Sequence, residues 1–211
     1  MIIIGAKGFA KEVLEIAHQL NLLENLVFFD DISEDTESLV YNQFKVLRTE
    51  SEVKAHFTKF GNEYTLGVGN PKVRELLEIK FNDLGGELVS LISPKSDIGH
   101  YGNTISNGTI IASGCVLTNS ITVKRGCLIN LNTTIGHDVI INEFVEICPG
   151  VNVSGNVQIG KNTFVGTNAT ILPKIKIGEN CIIAAGTVVT KNVADNSLIA
   201  GVPGILVKTL T

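Results

Sequence analysis

The chain has no excess of basic residues and no segment that reads as a targeting sequence. Its 211 residues carry a net charge of -4 and give a pI near 5.6, so no basic surface for nucleic acid or an anionic membrane is expected. The apolar opening at residues 1–4 is too short for a signal peptide and runs directly into a glycine turn. These absences predict a cytoplasmic protein that neither inserts into membranes nor binds nucleic acid.

Aromatic residues are scarce in the second half of the chain. Seven of the nine phenylalanines precede residue 82, and the only aromatics between residues 105 and 193 are Phe144 and Phe164. This shift in composition predicts two domains, which we place at residues 1–94 and 95–211. Cys115, Cys127 and Cys181 read as small core residues, whereas Cys148 could face outward as an inert thiol.

A six-residue repeat dominates the second half of the chain. Branched aliphatic residues recur in one register at fifteen positions, namely Ile105, Ile111, Leu117, Val123, Ile129, Ile135, Ile141, Ile147, Val153, Ile159, Val165, Ile171, Ile177, Ile183 and Val189. Four residues after each lies a second small or aliphatic residue, and glycine, asparagine, aspartate and lysine fill the gaps. One strand and one bend cannot bury an apolar side alone, but stacked units can, so the period predicts a parallel β-helix. The repeat falters at Gly99 and is regular from Ile105 onward.

The first ninety residues alternate apolar runs with helical patterns, which predicts a small parallel α/β sheet of about half a dinucleotide-binding fold. Strands are expected at residues 2–4, 26–29, 64–68 and 87–92, and helices at 9–20, 51–60 and 71–84. Glycines at positions 5 and 8 open the first helix, where free N–H groups suit a phosphate. The same glycines suit any tight turn, so nucleotide binding and a purely structural turn both stay open.

Five sequence features together resemble the bacterial hexapeptide-repeat sugar acyltransferases, and the resemblance covers nearly the whole chain. They are the opening IIIGAKGFAKEVLEI, the Asp30-Asp31 pair, Gly69-Asn70, the block IGHDVIINEF from residue 135, and the tail GVPG. The closest types are the sialic acid O-acetyltransferases and the acetyltransferases of UDP-4-amino-sugars in bacillosamine synthesis. The resemblance implies an N-terminal half-Rossmann domain and a left-handed β-helix with three hexads, or eighteen residues, per coil. It also implies a homotrimer with sites between subunits.

The resemblance assigns roles to individual residues. His137 matches the general base, and Asp138 matches the acidic neighbour that orients it. Gly155 matches a glycine whose N–H holds the oxyanion of the thioester, and it lies eighteen residues after His137. The acetyl-CoA contacts implied by the family fall on Glu146, Gly155, Thr167 and Ala185. The nucleotide-sugar pocket of the first domain is implied to use Lys7, Gly8, Phe9, Asp30, Asp31 and Gly69.

Two departures from the family concern the acceptor. Phe9 and Glu146 each stand where the bacillosamine-type enzymes have a histidine. A zinc role is not expected, because the zinc β-helix enzymes need a second histidine five residues after the first, where this chain has Asn142.

The leading hypothesis is acetyl transfer from acetyl-CoA to an amino group on a nucleotide-activated sugar in surface glycan synthesis. O-acetylation of a sugar hydroxyl, sialic acid included, is the alternative among enzymes. A trimeric scaffold without catalysis is the alternative outside them.

Overall fold

The computed structural model describes residues 1–33 and 38–210, and these form two compact units. The first unit consists of Met1–Gly69 and Val73–Leu91. The second consists of Asn70–Lys72 and the chain from Ile92 onward. No helix in the described ranges is long and apolar enough to cross a membrane.

The first unit is built on a six-stranded sheet with the order β3-β4-β2-β1-β5-β6. All neighbouring strands are parallel except the β3–β4 pair, which is an antiparallel hairpin. The strands are β1 (Ile2–Ile4), β2 (Val27–Phe29), β3 (Leu39–Val40), β4 (Phe44–Leu47), β5 (Glu63–Leu66) and β6 (Glu87–Leu88).

Three helices connect these strands: α1 (Gly8–Gln19), α2 (Glu50–Phe60) and α3 (Pro71–Asp83). Helix α1 buries a stripe of apolar residues that includes Val13, Ile16 and Ala17, as its 3.6-residue periodicity predicts. Helix α2 begins with a capping box, because the Thr49 hydroxyl accepts from the Glu52 N–H and the Glu52 carboxylate accepts from the Thr49 N–H.

Two features of the first unit differ from the sequence-based prediction. The β3–β4 hairpin was not predicted, because its turn uses Tyr41 and Asn42, both at positive φ, rather than a glycine-containing pair. The strand predicted at residues 87–92 is two strands, β6 and β7 (Leu91–Ile92), which belong to different sheets. The apolar run is continuous, so its pattern alone cannot locate the break.

The second unit is a left-handed parallel β-helix with three faces, each a sheet of short strands. Face 1 contains β7, β10 (Ile110–Ile111), β13 (Leu128–Ile129), β16 (Glu146–Ile147), β19 (Phe164–Val165), β22 (Ile182–Ile183), β24 (Ser197–Ala200) and β25 (Ile205–Thr209). Face 2 contains β8 (Asp97–Ile98), β11 (Val116–Leu117), β14 (Thr134–Ile135), β17 (Asn152–Val153), β20 (Thr170–Ile171) and β23 (Val188–Val189). Face 3 contains β9 (Thr104–Ile105), β12 (Thr122–Val123), β15 (Ile140–Ile141), β18 (Gln158–Ile159) and β21 (Lys176–Ile177).

Strands stack in register at intervals of eighteen residues. Val123 lies against Ile141, Ile141 against Ile159, and Ile159 against Ile177. From Ile111 to Val189 every predicted aliphatic position is buried, and so are the positions four residues later from Thr109 to Val193. The buried hydroxyls of Thr133 and Thr163 donate to backbone carbonyls, which lets polar side chains occupy this narrow interior.

The β-helix begins earlier than its regular repeat. Ile98 in β8 pairs with Leu117, an interval of nineteen residues, whereas Ile105 pairs with Val123 at the regular eighteen. The turn between β8 and β9 therefore holds one extra residue, and this insertion explains why the sequence period falters at Gly99.

The C-terminal segment closes the last coil. Strand β24 pairs in parallel with β22, with Leu198 opposite Ile182, and β25 returns antiparallel against β24. The predicted closure after Val193 is therefore a two-stranded addition to face 1. Cys148, which was expected to face outward, is buried at 8% exposure. It packs within the core cluster of the β-helix.

Replacing a residue of the interior ladder should destabilise the protein far more than replacing its outward neighbour. Ile159 is fully buried in β18, whereas Gln158 on the same strand is exposed. We expect Ile159→Ala to lower the free energy of unfolding by about 2–5 kcal/mol and Gln158→Ala to change it by less than about 0.5 kcal/mol. Urea denaturation measures both, and equal effects would contradict the assignment of inward and outward positions.

Candidate functional site

The first unit has a cavity at the carboxyl ends of its central strands. Strand β1 is followed in sequence by β2 on one side, while β5 lies on its other side, so the chain reverses direction across the sheet at β1. Such a switch point is where open α/β sheets bind ligands. The cavity has a volume of about 340 Å³ and is lined by Ile4, Gly5, Ala6, Lys7, Gly8, Phe9, Phe29, Asp30, Asp31, Ile32, Ser33, Gly67, Val68, Val73 and Leu77.

Two glycines allow the loops around this cavity to approach each other. Gly5 has φ +101°, and a Cβ there would lie 2.9 Å from the Gly67 carbonyl oxygen. A Cβ on Gly67 would lie 2.8 Å from the Ala10 Cβ and from the Ile3 side chain. The turn into α1 therefore packs against the end of β5, and any larger residue at either position would push the two apart.

The N-terminus of α1 faces this cavity without a side-chain cap. The N-cap residue, Lys7, makes no capping hydrogen bond, and the first turn contains no acidic residue. A Cβ added to Gly8 would meet only open space. Unpaired N–H groups beside a lysine, with glycine leaving the backbone accessible, form an arrangement that accepts a phosphate.

Asp30 lines the cavity, but its carboxylate is bound by the backbone of its own loop. Its Oδ1 accepts from the N–H groups of Ser33 at 2.8 Å and Ile32 at 3.2 Å. Burial raises the pKa of this carboxyl, but hydrogen bonds from Ser33, Ile32 and Ala6 outweigh that effect and hold the pKa below its usual range. The negative charge is thus stable at neutral pH and is already largely satisfied by the backbone.

Asp31 forms an ion pair with Lys80, whose Nζ lies 2.7 Å from Oδ2. The bond to Asp31 raises the pKa of Lys80 above its usual value, despite partial burial. Lys80 also lies over the Phe29 ring, 5.3 Å from its centroid. Asp31 is therefore held at the cavity rim with its charge balanced.

Of the six residues predicted for this pocket, five line the cavity and Gly69 does not. The Gly69 carbonyl instead accepts a hydrogen bond from the buried guanidinium of Arg74. Sequence reasoning missed Ile32, Ser33, Gly67, Val68, Val73 and Leu77, and it did not assign Ile4, Ala6 or Phe29 to the pocket. Their position just after the ends of strands is the one signal that could have identified the first four.

In the second unit His137 lies in the turn from β14 to β15, at the edge between faces 2 and 3. Its Nδ1 lies 2.7 Å from Asp138 Oδ2, and the two side chains are 64% and 52% exposed. Asp138 has a left-handed φ of 59°, a conformation that aspartate tolerates better than most residues. If the Asp138 carboxylate accepts the Nδ1 proton, Nε2 is left as the basic nitrogen.

The imidazole of His137 lies against Gly155, one coil further along. A Cβ at position 155 would lie 2.6 Å from His137 Nε2 and 2.7 Å from Cε1. The Gly155 carbonyl accepts from the Lys174 N–H, whereas the Gly155 N–H has no acceptor in the described part of the chain. The structure thus brings a basic nitrogen and an available backbone donor together at one edge.

Glu146 does not join His137 within one chain. It lies on β16 of face 1, and because Ile147 points into the interior, Glu146 points outward from that face. Face 1 is opposite the edge that carries His137. Thr167 and Ala185 lie at a different edge, between faces 1 and 2, where the Gly186 N–H donates to the Thr167 carbonyl. One chain therefore holds two separate groups of the predicted residues.

No group of three or more metal-ligating side chains occurs in residues 1–33 or 38–210. Asn142, at the position where a zinc ligand would be needed, donates its side-chain amide to the Ile159 carbonyl at 2.8 Å and so joins adjacent coils.

Two family models match the chain. The PglD N-terminal domain matches residues 1–79, and the bacterial transferase hexapeptide model, which comprises six repeats, matches residues 156–191.

Solved structures resemble the chain along almost its entire length. The acetyltransferase domain of PglB from Neisseria gonorrhoeae, solved with acetyl coenzyme A, is 28% identical, with 98% of each chain covered and a TM-score of 0.87. WeeI from Acinetobacter baumannii is 26% identical, again with 98% of each chain covered and a TM-score of 0.87. Perosamine N-acetyltransferase from Caulobacter crescentus shares the fold, with 22% identity over 97% of this chain and 95% of that one and a TM-score of 0.90.

The chain therefore has two candidate functional features. One is the switch-point cavity in a PglD-type domain, and the other is the exposed histidine on a stack of hexapeptide coils. The chain thus combines a PglD-type N-terminal domain with bacterial transferase hexapeptide repeats, and along almost its entire length it resembles acetyltransferases such as the PglB domain.

Proposed function

We propose that this protein transfers the acetyl group of acetyl-CoA to the amino group of a nucleotide-linked sugar, with His137 as the general base. The observation that carries the proposal is the position of the His137 imidazole, bonded to Asp138 at Nδ1 and lying against Gly155 at Nε2. A positioned base beside an unpaired backbone donor is what acyl transfer to an amine requires.

The cosubstrate assignment rests on the match to the PglB domain, which was solved with acetyl coenzyme A. The acceptor assignment rests on the first unit. There the α1 N-terminus and Lys7 suit the phosphates of a nucleotide, and Phe9 supplies an apolar wall. Gly8, Asp30 and Asp31 then shape the cavity, with the two carboxylates held by the loop and by Lys80.

In the proposed reaction the neutral amine attacks the thioester carbonyl carbon while His137 Nε2 accepts a proton from the amine. The carbonyl oxygen becomes an oxyanion and receives the hydrogen bond of the Gly155 N–H. The C–S bond then breaks, the amide remains, and the His137 imidazolium returns its proton to the sulfur, so that CoA leaves as the thiol and the base is regenerated. Asp138 stabilises the imidazolium that forms in between.

We further propose that the site is completed by a second copy of the chain in a homotrimer. His137 and Gly155 lie at one edge of the β-helix, whereas Glu146, Thr167 and Ala185 lie on face 1 and at its border with face 2. These groups can serve one acetyl-CoA only if they come from different chains. Because acetyl-CoA and nucleotide sugars are cytoplasmic metabolites, we place the reaction in the cytoplasm.

Loss of His137 should remove most of the activity. CoA release from acetyl-CoA, measured across UDP-, GDP-, dTDP- and CMP-sugars with and without a free amine, should show turnover only with amino sugars. His137→Ala should lower that rate by about a hundred- to ten-thousand-fold without loss of folding. The control is His18→Ala, a change to an exposed histidine of α1, which should leave the rate unchanged. Turnover with hydroxyl acceptors would indicate O-acetylation instead. No turnover with any acceptor would favour the scaffold, and an active, folded His137→Ala protein would contradict the mechanism.

The shared site predicts complementation between inactive chains. His137→Ala and Glu146→Ala chains should each lose activity alone, and refolding them together should restore part of it, because mixed trimers contain intact sites. Light scattering should report trimers in every sample. Absence of recovery from two inactive parents, or full activity of Glu146→Ala alone, would contradict a role for Glu146 in the shared site.

A further inference from the structure

We infer that Tyr101 binds the sugar ring of the acceptor, an inference that rests on the proposed function. Tyr101 lies in the turn from β8 to β9, which holds the one residue beyond the regular repeat. Its side chain is 76% exposed, in a domain whose regular coils carry no tyrosine. An exposed aromatic ring offers an apolar face on which the C–H side of a sugar ring can pack.

The backbone of this turn is firmly held. The Asn103 side chain donates to the carbonyls of Gly99 and Thr118, each at 2.8 Å, and accepts from the Ile121 N–H at 2.8 Å. The Asn119 side chain accepts from the Tyr101 N–H at 3.2 Å. Two asparagine side chains thus bind the inserted turn to the next coil, so the backbone that carries the Tyr101 ring has a defined position.

Tyr101 lies at the same edge as His137, on its N-terminal side. The Ser120 N–H donates to the Tyr101 carbonyl, and the Asp138 N–H donates to the Asn119 carbonyl at 3.2 Å, so the turns at 101, 119 and 137 are consecutive. Two coil intervals separate the backbones of Tyr101 and His137, which is about 10 Å. Two side chains projecting from this edge can therefore contact one sugar residue between them.

The direction of approach follows from His137. Its ring lies toward Gly155 on the C-terminal side, where the proposed oxyanion forms. Beyond Gly155 on the same edge stands the exposed ring of Pro173, which has no hydrogen-bonding group to offer an acceptor. The N-terminal side carries Asn119 and Tyr101, so we place the apolar C–H face of the acceptor sugar on the tyrosine ring, with its amino group extending past the imidazole to Nε2.

Substitution at Tyr101 tests this assignment by separating the two substrates. We expect Tyr101→Ala to raise KM for the nucleotide amino sugar about three- to tenfold, with KM for acetyl-CoA unchanged. Tyr101→Phe should behave like the wild type, because the aromatic face is retained. Tyr41→Ala, which removes a tyrosine 63% exposed in the β3–β4 turn of the first unit, is the matched control and should have no effect.

The outcomes distinguish this inference from the proposed function. If the wild type acetylates an amino sugar but Tyr101→Ala leaves its KM unchanged, the inference is wrong and the proposed function stands. A rise in KM for acetyl-CoA alone would place Tyr101 against the cosubstrate and overturn the assignment. If the wild type acetylates no amino sugar, the proposed function itself fails.

Discussion

Backbone hydrogen bonding between coils eighteen residues apart is the constraint on which the second unit depends. Each coil donates N–H groups to the carbonyls of the next, as from Ile140 to Val157 and from Gln158 to Ile175. Coils of equal length keep this ladder in register and let the turns stack as well, while the extra residue between β8 and β9 is accommodated in its turn. Positions that need a left-handed φ therefore recur in a column and are mostly glycine or asparagine. The aliphatic ladder of the interior follows from the same register.

The same constraint produces the candidate site. A turn residue is free of the interior, so its identity can vary without cost to the core, while its neighbours one coil away are fixed in space. His137 occupies such a turn position. The residue that stacks on its ring is Gly155, and the absence of a side chain there leaves room for the imidazole. Asp138 occupies the left-handed position of the same turn and bonds the imidazole. Stacking therefore places the imidazole, the Asp138 carboxylate and the Gly155 backbone at one edge of the β-helix.

The sequence predicted what is periodic and missed what is irregular. The interior positions and the helices of the first unit follow from the sequence periods, whereas the proximity of Gly155 to position 137 follows once the eighteen-residue coil implied by the family resemblance is added. Three features could not be read from the spacing of residues. The β3–β4 hairpin and the extra residue before Ile105 interrupt a pattern, and the burial of Cys148 depends on packing. The cavity lining by Val73 and Leu77 was missed because helix α3, a segment distant in sequence, contributes it. Asp30 was identified, but its bonds to its own loop depend on backbone geometry that the sequence does not reveal.

The most direct test of the account is the activity of Gly155→Ala, with Ser154→Ala as the control at the preceding turn position. The added Cβ would lie 2.6 Å from His137 Nε2, and because the imidazole is exposed it can rotate away without unfolding the coil. We expect an unchanged circular dichroism spectrum and thermal midpoint, with kcat reduced about a hundred- to ten-thousand-fold because the imidazole is displaced. Full acetyl transfer by a correctly folded Gly155→Ala protein would contradict the account, because the base would then act without the position that stacking gives it.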